Sequence, residues 1–227
     1  MRDKTYAYVV KIDEHYQGMQ EGIRIIGNIE NIAFEAMEGK AILFDVSQVF
    51  ELVKKLPDNI LSKLKKEDLK GIRDIRNFIV HDYDRLEREK IIDSIKFGIP
   101  SLVNDLHMIA KSEYERAVRG IIGKRVDVFV DARLDKETNK LNYGYIDNIV
   151  SPNGEFIEAY IVDIDVPVPR CMGYVINAFK RKKEDAYSLL VATLDAKYCE
   201  AQIKDLIRDK IGVSDFELLI SEKREKR

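Results

Sequence analysis

The hydrophobic period switches near Gly120 in these 227 residues, and that switch constrains the fold more than any composition figure. Before Ala117, apolar residues recur at helical spacing. Ile42, Leu43, Val46, Val49, Phe50 and Val53 recur at spacings of three and four, which draws one stripe down a helix. Lys54, Lys55 and Pro57 then supply a helix stop. Leu69, Ile72, Ile75 and Ile79 make a second stripe, and Ile91, Ile92, Ile95, Ile99, Leu102 and Leu106 a third. Pro100 sits inside the third stripe and predicts a kink or local irregularity, because proline has no N–H to continue the ladder. After Gly120 the period becomes two. Val126, Val128 and Val130 alternate with Asp127, Phe129 and Asp131. Asn139-Lys140 and Asn153-Gly154 read as turns. Ala159–Val162 and Leu189–Ala192 read as buried strands, and Tyr198–Ile211 returns to a helical pattern.

The expected fold is therefore two-domain α + β. Residues 1–117 form an antiparallel bundle of four or five helices, and residues 121–220 a small β-barrel with a late helix. The boundary falls at 117–123, and 221–227 make a charged tail. A length of 227 residues supports two small cores. The formal net charge of -2 excludes a generally basic nucleic-acid coat protein, so RNA contact has to come from a local patch or a dimer groove. Cys171 and Cys199 match no metal or redox spacing, which implies reduced thiols and a cytoplasmic setting. No signal peptide is read at the start, and no apolar run approaches the ~20 residues that span a bilayer.

One segment concentrates chemistry. Arg76-Asn77-Phe78-Ile79-Val80-His81-Asp82-Tyr83 places a guanidinium, an amide, an imidazole and a phenol at the end of a helical stretch. An imidazole that titrates near neutrality can take the proton of a ribose 2′-hydroxyl or return one to the leaving oxygen. A guanidinium holds the charge that builds on the phosphoryl group. On a straight helix Asn77 and His81 share a face, whereas Arg76 lies roughly 140° away from His81. Arg76 and His81 meet only if the helix ends or bends there, or if two chains pool their residues. An isolated Arg-x4-His is common and by itself reads as a charged helix end.

The surroundings change that weight. Ile42–Leu56, Ile72–Tyr83 and Ile99–Leu102 resemble the HEPN superfamily and are nearest to HepT-like toxins, over roughly residues 5–110. The Arg-x4-His-x-Tyr signature falls on Arg76, His81 and Tyr83. The resemblance implies a dimerising helical bundle, metal-independent cleavage of RNA, and a nucleotidyltransferase antitoxin that adenylylates Tyr83. In those roles His81 is the general acid or base, Arg76 holds the scissile phosphate, Asn77 orients the imidazole or the phosphate, and Tyr83 positions RNA. Arg73, Arg85 and Arg88 extend the phosphate-binding surface.

In the second half, Gly123–Val128, Asn142–Ile146, Asn153–Ile161, Gly173–Ile176 and Leu190–Ala192 resemble the soluble family I inorganic pyrophosphatases. That resemblance implies a small barrel that uses Tyr143 and acidic Mg²⁺ ligands. The acidic positions are Glu155, Glu158 and Asp185, with Arg133 as a further polar group. Asn153 stands where the pattern has an aspartate, and Glu155 and Glu158 stand in place of two more. Ligand displacement of ~1 Å can cost on the order of 100-fold in rate, so hydrolysis is expected to be reduced or absent. Lys180, Arg181, Lys182 and Lys183 make a basic loop suited to phosphate or RNA, or simply a solvated turn. Three readings follow: an RNA-cutting enzyme with an accessory barrel, a Mg²⁺-dependent diphosphatase with a helical dimerisation module, and a non-catalytic nucleotide or RNA sensor.

Overall fold

The computed structural model describes residues 5–67, 69–71, 88–132, 141–152, 154–182, 184–194 and 198–219. They divide into two compact units between Lys111 and Ser112.

The helical unit starts with α1 (Thr5–Ile26) and α2 (Met37–Val53). Every residue of the predicted 42–53 stripe is buried. The two helices run antiparallel and close together because α1 presents glycines to α2. A Cβ on Gly22 would lie 2.8 Å from Ile42 Cγ1, and one on Gly18 would lie 2.8 Å from Asp45 Oδ2. His15 on the same face of α1 bonds Asp45 through Nδ1 at 2.9 Å. α2 ends at Val53, and Pro57 opens the short α3 (Asp58–Leu61), as the Lys54–Pro57 stop signal predicts.

After α4 (Arg88–Asp93), the chain passes through a π-helical turn, Ser94–Gly98, into α5 (Ile99–Ile121). Ile99 N–H reaches back five residues to Ser94 O. Pro100 has no N–H to offer Lys96 O, and the widened turn immediately before it is the irregularity expected there. The stripe Ile91, Ile92, Ile95, Ile99, Leu102 and Leu106 is buried throughout. α5 continues four residues past the predicted helix limit at 117. Its last turns carry Tyr114, which is 1% exposed, and its hydroxyl accepts the Tyr187 N–H at 2.9 Å in the second unit. The compact division thus falls inside α5 rather than after it. No helix among the described residues is long and apolar enough to cross a membrane.

The second unit is a barrel. Its strands are β1 (Arg125–Ala132), β2 (Asn142–Val150), β3 (Phe156–Ile161), β4 (Arg170–Arg181), β5 (Ser188–Ala192) and β6 (Phe216–Leu218). The order β1-β2-β3-β5-β4 closes on itself because β4 also pairs with β1, from Arg125↔Tyr174 to Phe129↔Arg170. β3 and β5 are parallel and the other pairs antiparallel, which makes a five-stranded Greek-key barrel. β6 adds to the far end of β4.

The period-two reading of β1 holds at Val126 and Val128, which point inward. It breaks at a bulge between Val130 and Ala132. β2 crosses β1 closely there. A Cβ on Gly144 would sit 1.9 Å from Phe129 O, so only glycine fits. All five residues of β5 are buried, consistent with a strand covered on both faces. Ahead of β3, Ser151 N–H donates to Glu155 O at 2.8 Å and Gly154 has φ +87°.

The late helix α6 (Glu200–Leu206) starts two residues after the predicted Tyr198. Cys199 is its N-cap, and Gln202 returns a bond to the Cys199 N–H at 2.9 Å. A π-helical turn, Ile207–Ile211, follows and stops at Gly212, whose φ is +77°. Ile203 and Ile207 bury against Leu141, Val162, Ile176, Phe179 and Leu190, so the helix plugs the barrel core.

Candidate functional site

The segment expected from the sequence to carry the chemistry, with Arg76, Asn77, His81 and Tyr83, lies outside the described residues together with Arg73 and Arg85. Arg88, the last of the proposed phosphate-binding arginines, is described. It donates to Glu30 O at 2.7 Å, and its guanidinium lies 5.7 Å over the Phe34 ring. It ties α4 to the 29–34 connection and faces a backbone acceptor.

The barrel collects most of the other candidate residues at one place. Glu155, Glu158, Arg181 and Asp185 line a single cavity of about 390 Å³, with Phe156, Tyr187 and Ser188. Glu155 stands at the turn into β3 and Glu158 on its outward face. Arg181, at the end of β4, joins the groups. Its Nη1 donates to Glu184 at 3.1 Å and stands 3.9 Å from Glu158, and its Nη2 donates to the Tyr160 hydroxyl at 3.1 Å. Ser188 Oγ donates to Glu158 at 3.1 Å. Burial pushes the Tyr160 phenol above its ordinary pKa, and the neighbouring Glu158 carboxylate adds to that, while the bond from Arg181 opposes it. Glu158 is thus committed to a hydroxyl and an arginine. Among the described residues no group of three or more His, Cys, Asp or Glu side chains is placed to hold a metal ion. Glu155, Glu158 and Asp185 share one cavity without forming such a group. Asn153 and Arg133 lie outside the described residues.

Tyr143 does not line that cavity. It stacks on Tyr160 across the β2–β3 pair, with ring centroids 5.6 Å apart. The basic loop is paired as well. Lys180 Nζ lies 3.8 Å from Glu217 and 5.7 Å over the Tyr187 ring, and Lys182 pairs with Asp215 at 3.1 Å. Lys183 is outside the described residues. Exposed pairs of this kind contribute little, but they lower the net positive field that the sequence run suggests.

Three features escape a reading from sequence. Asn142 is fully buried and pins the β3–β4 connection. Its amide donates to Val166 O at 2.9 Å, and its carbonyl accepts the Val168 N–H at 3.1 Å. Arg170 is fixed flat on Phe129, 4.6 Å from the ring centroid, with Nε donating to Asp127 at 2.8 Å. Phe129, Tyr145 and Phe156 then form a stacked row. Only the outward position of these residues is visible in the alternation; the register that lines them up is tertiary. The Cys171 thiol is pushed up by burial, which makes it inert rather than reactive.

Residues 12–109 match the family model described as Ribonuclease HepT-like. Over that span the helical unit is similar to the HepT-like, HEPN-type ribonucleases. The match ends before the barrel. No curated protein and no solved structure gives a match.

Proposed function

We propose that this protein is a metal-independent ribonuclease of the toxin–antitoxin type, acting as a homodimer through its helical unit. The observation that carries this reading is the Ribonuclease HepT-like match, which runs across the whole segment from Arg73 to Tyr83. His81 takes the 2′-hydroxyl proton while that oxygen attacks phosphorus. Arg76 balances the added charge, and Asn77 orients the imidazole or the phosphate. The 5′-oxygen leaves with a proton from a second imidazole, and two motifs in one dimer cleft provide the base and the acid together. Tyr83 positions RNA and is the acceptor for a nucleotidyltransferase antitoxin. An adenylyl group there places bulk and negative charge beside an anion site, which blocks substrate.

The test is incubation of the full chain with total RNA in excess EDTA, beside Arg76→Ala/His81→Ala. Loss of one general acid–base group lowers the rate about 10²–10⁴-fold, so the wild type cleaves to 2′,3′-cyclic phosphate ends and the variant does not. Equal cleavage by both would refute the assignment.

A Mg²⁺-dependent diphosphatase is the second reading, favoured by the shared cavity of Glu155, Glu158 and Asp185. It requires phosphate release from diphosphate that depends on Mg²⁺ and falls in Glu158→Gln.

A further inference from the structure

The helical unit carries a compact set of lysines whose charge opposes that of the whole chain. Residues 54–66 hold five lysines, Lys54, Lys55, Lys63, Lys65 and Lys66, against a single acid, Asp58. The segment is therefore +4 in a chain of formal charge -2, and the rest of the chain carries −6. Its local fold sends all five lysines outward. Leu56, Ile60 and Leu64, spaced by four, are buried and anchor the segment. Every lysine between and beside them is exposed. Successive tight turns fix the backbone, with Leu56 N–H on Val53 O at 3.0 Å, Ile60 N–H on Pro57 O at 2.9 Å and Lys63 N–H on Ile60 O at 3.0 Å. Only the short α3 separates Lys54 and Lys55 from the other three, and a helical turn rises about 5.4 Å. The two groups of cations therefore stay close.

Two of the lysines also meet a carboxylate. Lys54 Nζ lies 3.4 Å from Glu51, and Lys65 Nζ lies 3.0 Å from Asp105 and donates to Ser101 Oγ at 3.3 Å. Exposed pairs of this kind contribute little, so a phosphate oxygen can take the place of the carboxylate. The basic loop at 180–183 is the contrast. Its four bases face the four carboxylates of Glu158, Glu184, Asp215 and Glu217, and the charges balance.

We infer that the 54–66 face holds RNA by its phosphates, beside the bond that is cut. The choice of RNA rests on the ribonuclease reading of this unit. Lys66 stands ten residues before Arg76 in the sequence, and ten residues span at most about 35 Å. One strand that crosses that gap meets both. An ammonium group on a flexible stem suits a phosphate oxygen irrespective of the base attached. Asn59 and Ser62, exposed between the two lysine groups, add neutral side chains that can bond phosphate or sugar oxygens. Because the rest of the chain is acidic, its field directs a polyanion to this face. Attachment here is independent of sequence and sensitive to salt, since each neutralised phosphate releases counterions.

Binding is measured by fluorescence polarisation in EDTA, between about 50 and 200 mM salt, with a labelled unpaired RNA of about 16 nucleotides. The protein is the full chain carrying Arg76→Ala/His81→Ala, so the probe stays intact. Lys55→Gln/Lys63→Gln/Lys66→Gln removes three cations at exposed positions, and circular dichroism checks that the fold is kept. Affinity at low salt should fall at least about tenfold, and the logarithmic salt slope should become shallower by about 2, at ~0.7 per phosphate. Lys11→Gln/Lys40→Gln/Lys124→Gln makes the same change in net charge at exposed positions elsewhere, and should stay within about twofold of the parent. In the cleaving wild-type background, the first triple substitution should raise KM about tenfold and leave kcat unchanged, as expected of groups that bind substrate and transition state alike.

Unchanged affinity and slope in the folded 55/63/66 variant, an equal loss in the 11/40/124 variant, or no binding of RNA by the parent would overturn the proposal. Equal binding of polyglutamate of matching charge, lost in the same variant, would assign the face to an acidic protein and overturn the choice of RNA. If the triple variant unfolds, Lys55→Gln and Lys66→Gln decide singly, each with a slope shallower by about 0.7. Lysine-dependent binding without cleavage by the wild type sinks the ribonuclease reading alone. Cleavage whose KM ignores the three lysines sinks this one alone.

Discussion

Asn142→Ala should loosen the barrel by about 2 kcal/mol. The side chain is fully buried at the start of β2 and ties down the β3–β4 connection. Two bonds are well formed, Nδ2 to Val166 O at 2.9 Å and Val168 N–H to Oδ1 at 3.1 Å. A third, to Ile164 O, is long at 3.5 Å. Each good bond contributes ~1 kcal/mol net, which sets the estimate near 2. The connection is largely solvated, so water takes over its freed groups, and the cost stays below that of a sealed core. With a urea slope of about 2 kcal/mol per molar, the midpoint should fall by ~1 M. The chain has no tryptophan, so near-UV circular dichroism of its tyrosines, most of which lie beyond Lys111, follows the transition. Asn142→Asp is the sharper variant. It keeps the shape and the acceptor but turns a donor into a carboxylate oxygen facing two carbonyls. It should cost more than alanine at neutral pH and recover in acid, when the protonated carboxyl again donates. An alanine variant within ~0.3 kcal/mol of wild type, or an aspartate variant less harmful than alanine at neutral pH, would refute the anchoring role.

Tyr114→Phe removes a buried hydroxyl that accepts the Tyr187 N–H at 2.9 Å and donates to Tyr187 O at 3.4 Å, so urea denaturation should show a loss of about 1–2 kcal/mol. A loss near zero would mean that water replaces the phenol. The Arg170 hydrogen bonds hold the Asp127 carboxyl below its ordinary value of 3.8. A depressed carboxylate pKa stabilises the fold above the unfolded value, and that contribution is lost as pH falls through the folded one. The small advantage of wild type over Asp127→Asn should therefore be constant above about pH 5 and vanish in acid. An advantage that persists at pH 2 would point to packing instead of charge.

Two of the three helical stripes, those at 42–53 and 91–106, were legible because burial in a bundle demands a period near 3.6, and the one at 69–79 runs outside the described residues. The residues at 42–53 and 91–106 that share that period are the ones that are buried. Pro100 was legible as an irregularity for a covalent reason, the missing N–H. The length of α5 was not, because Tyr114 and its neighbours keep helical spacing while their partners lie in the second unit. The cavity was half legible. Glu155, Glu158 and Asp185 do share one wall, although Arg181, read as part of a phosphate-binding loop, is drawn among them by Tyr160 and Glu184. Tyr143, read with the same site, turns to Tyr160 instead.

What the sequence by itself determined is local: which segments are helix or strand, where the period switches, and that Arg76, Asn77, His81 and Tyr83 stand together along the chain. Such properties depend on backbone geometry over a few residues. Only the tertiary structure decided that β4 returns to β1 and closes a barrel, that Asn142 secures a distant connection, and that Phe129, Tyr145, Phe156 and Arg170 stack in one row. These depend on strand register. A slip of one residue sends each side chain to the opposite face, and register is chosen by the packing of the whole sheet, including the single glycine at 144 that lets β2 cross β1.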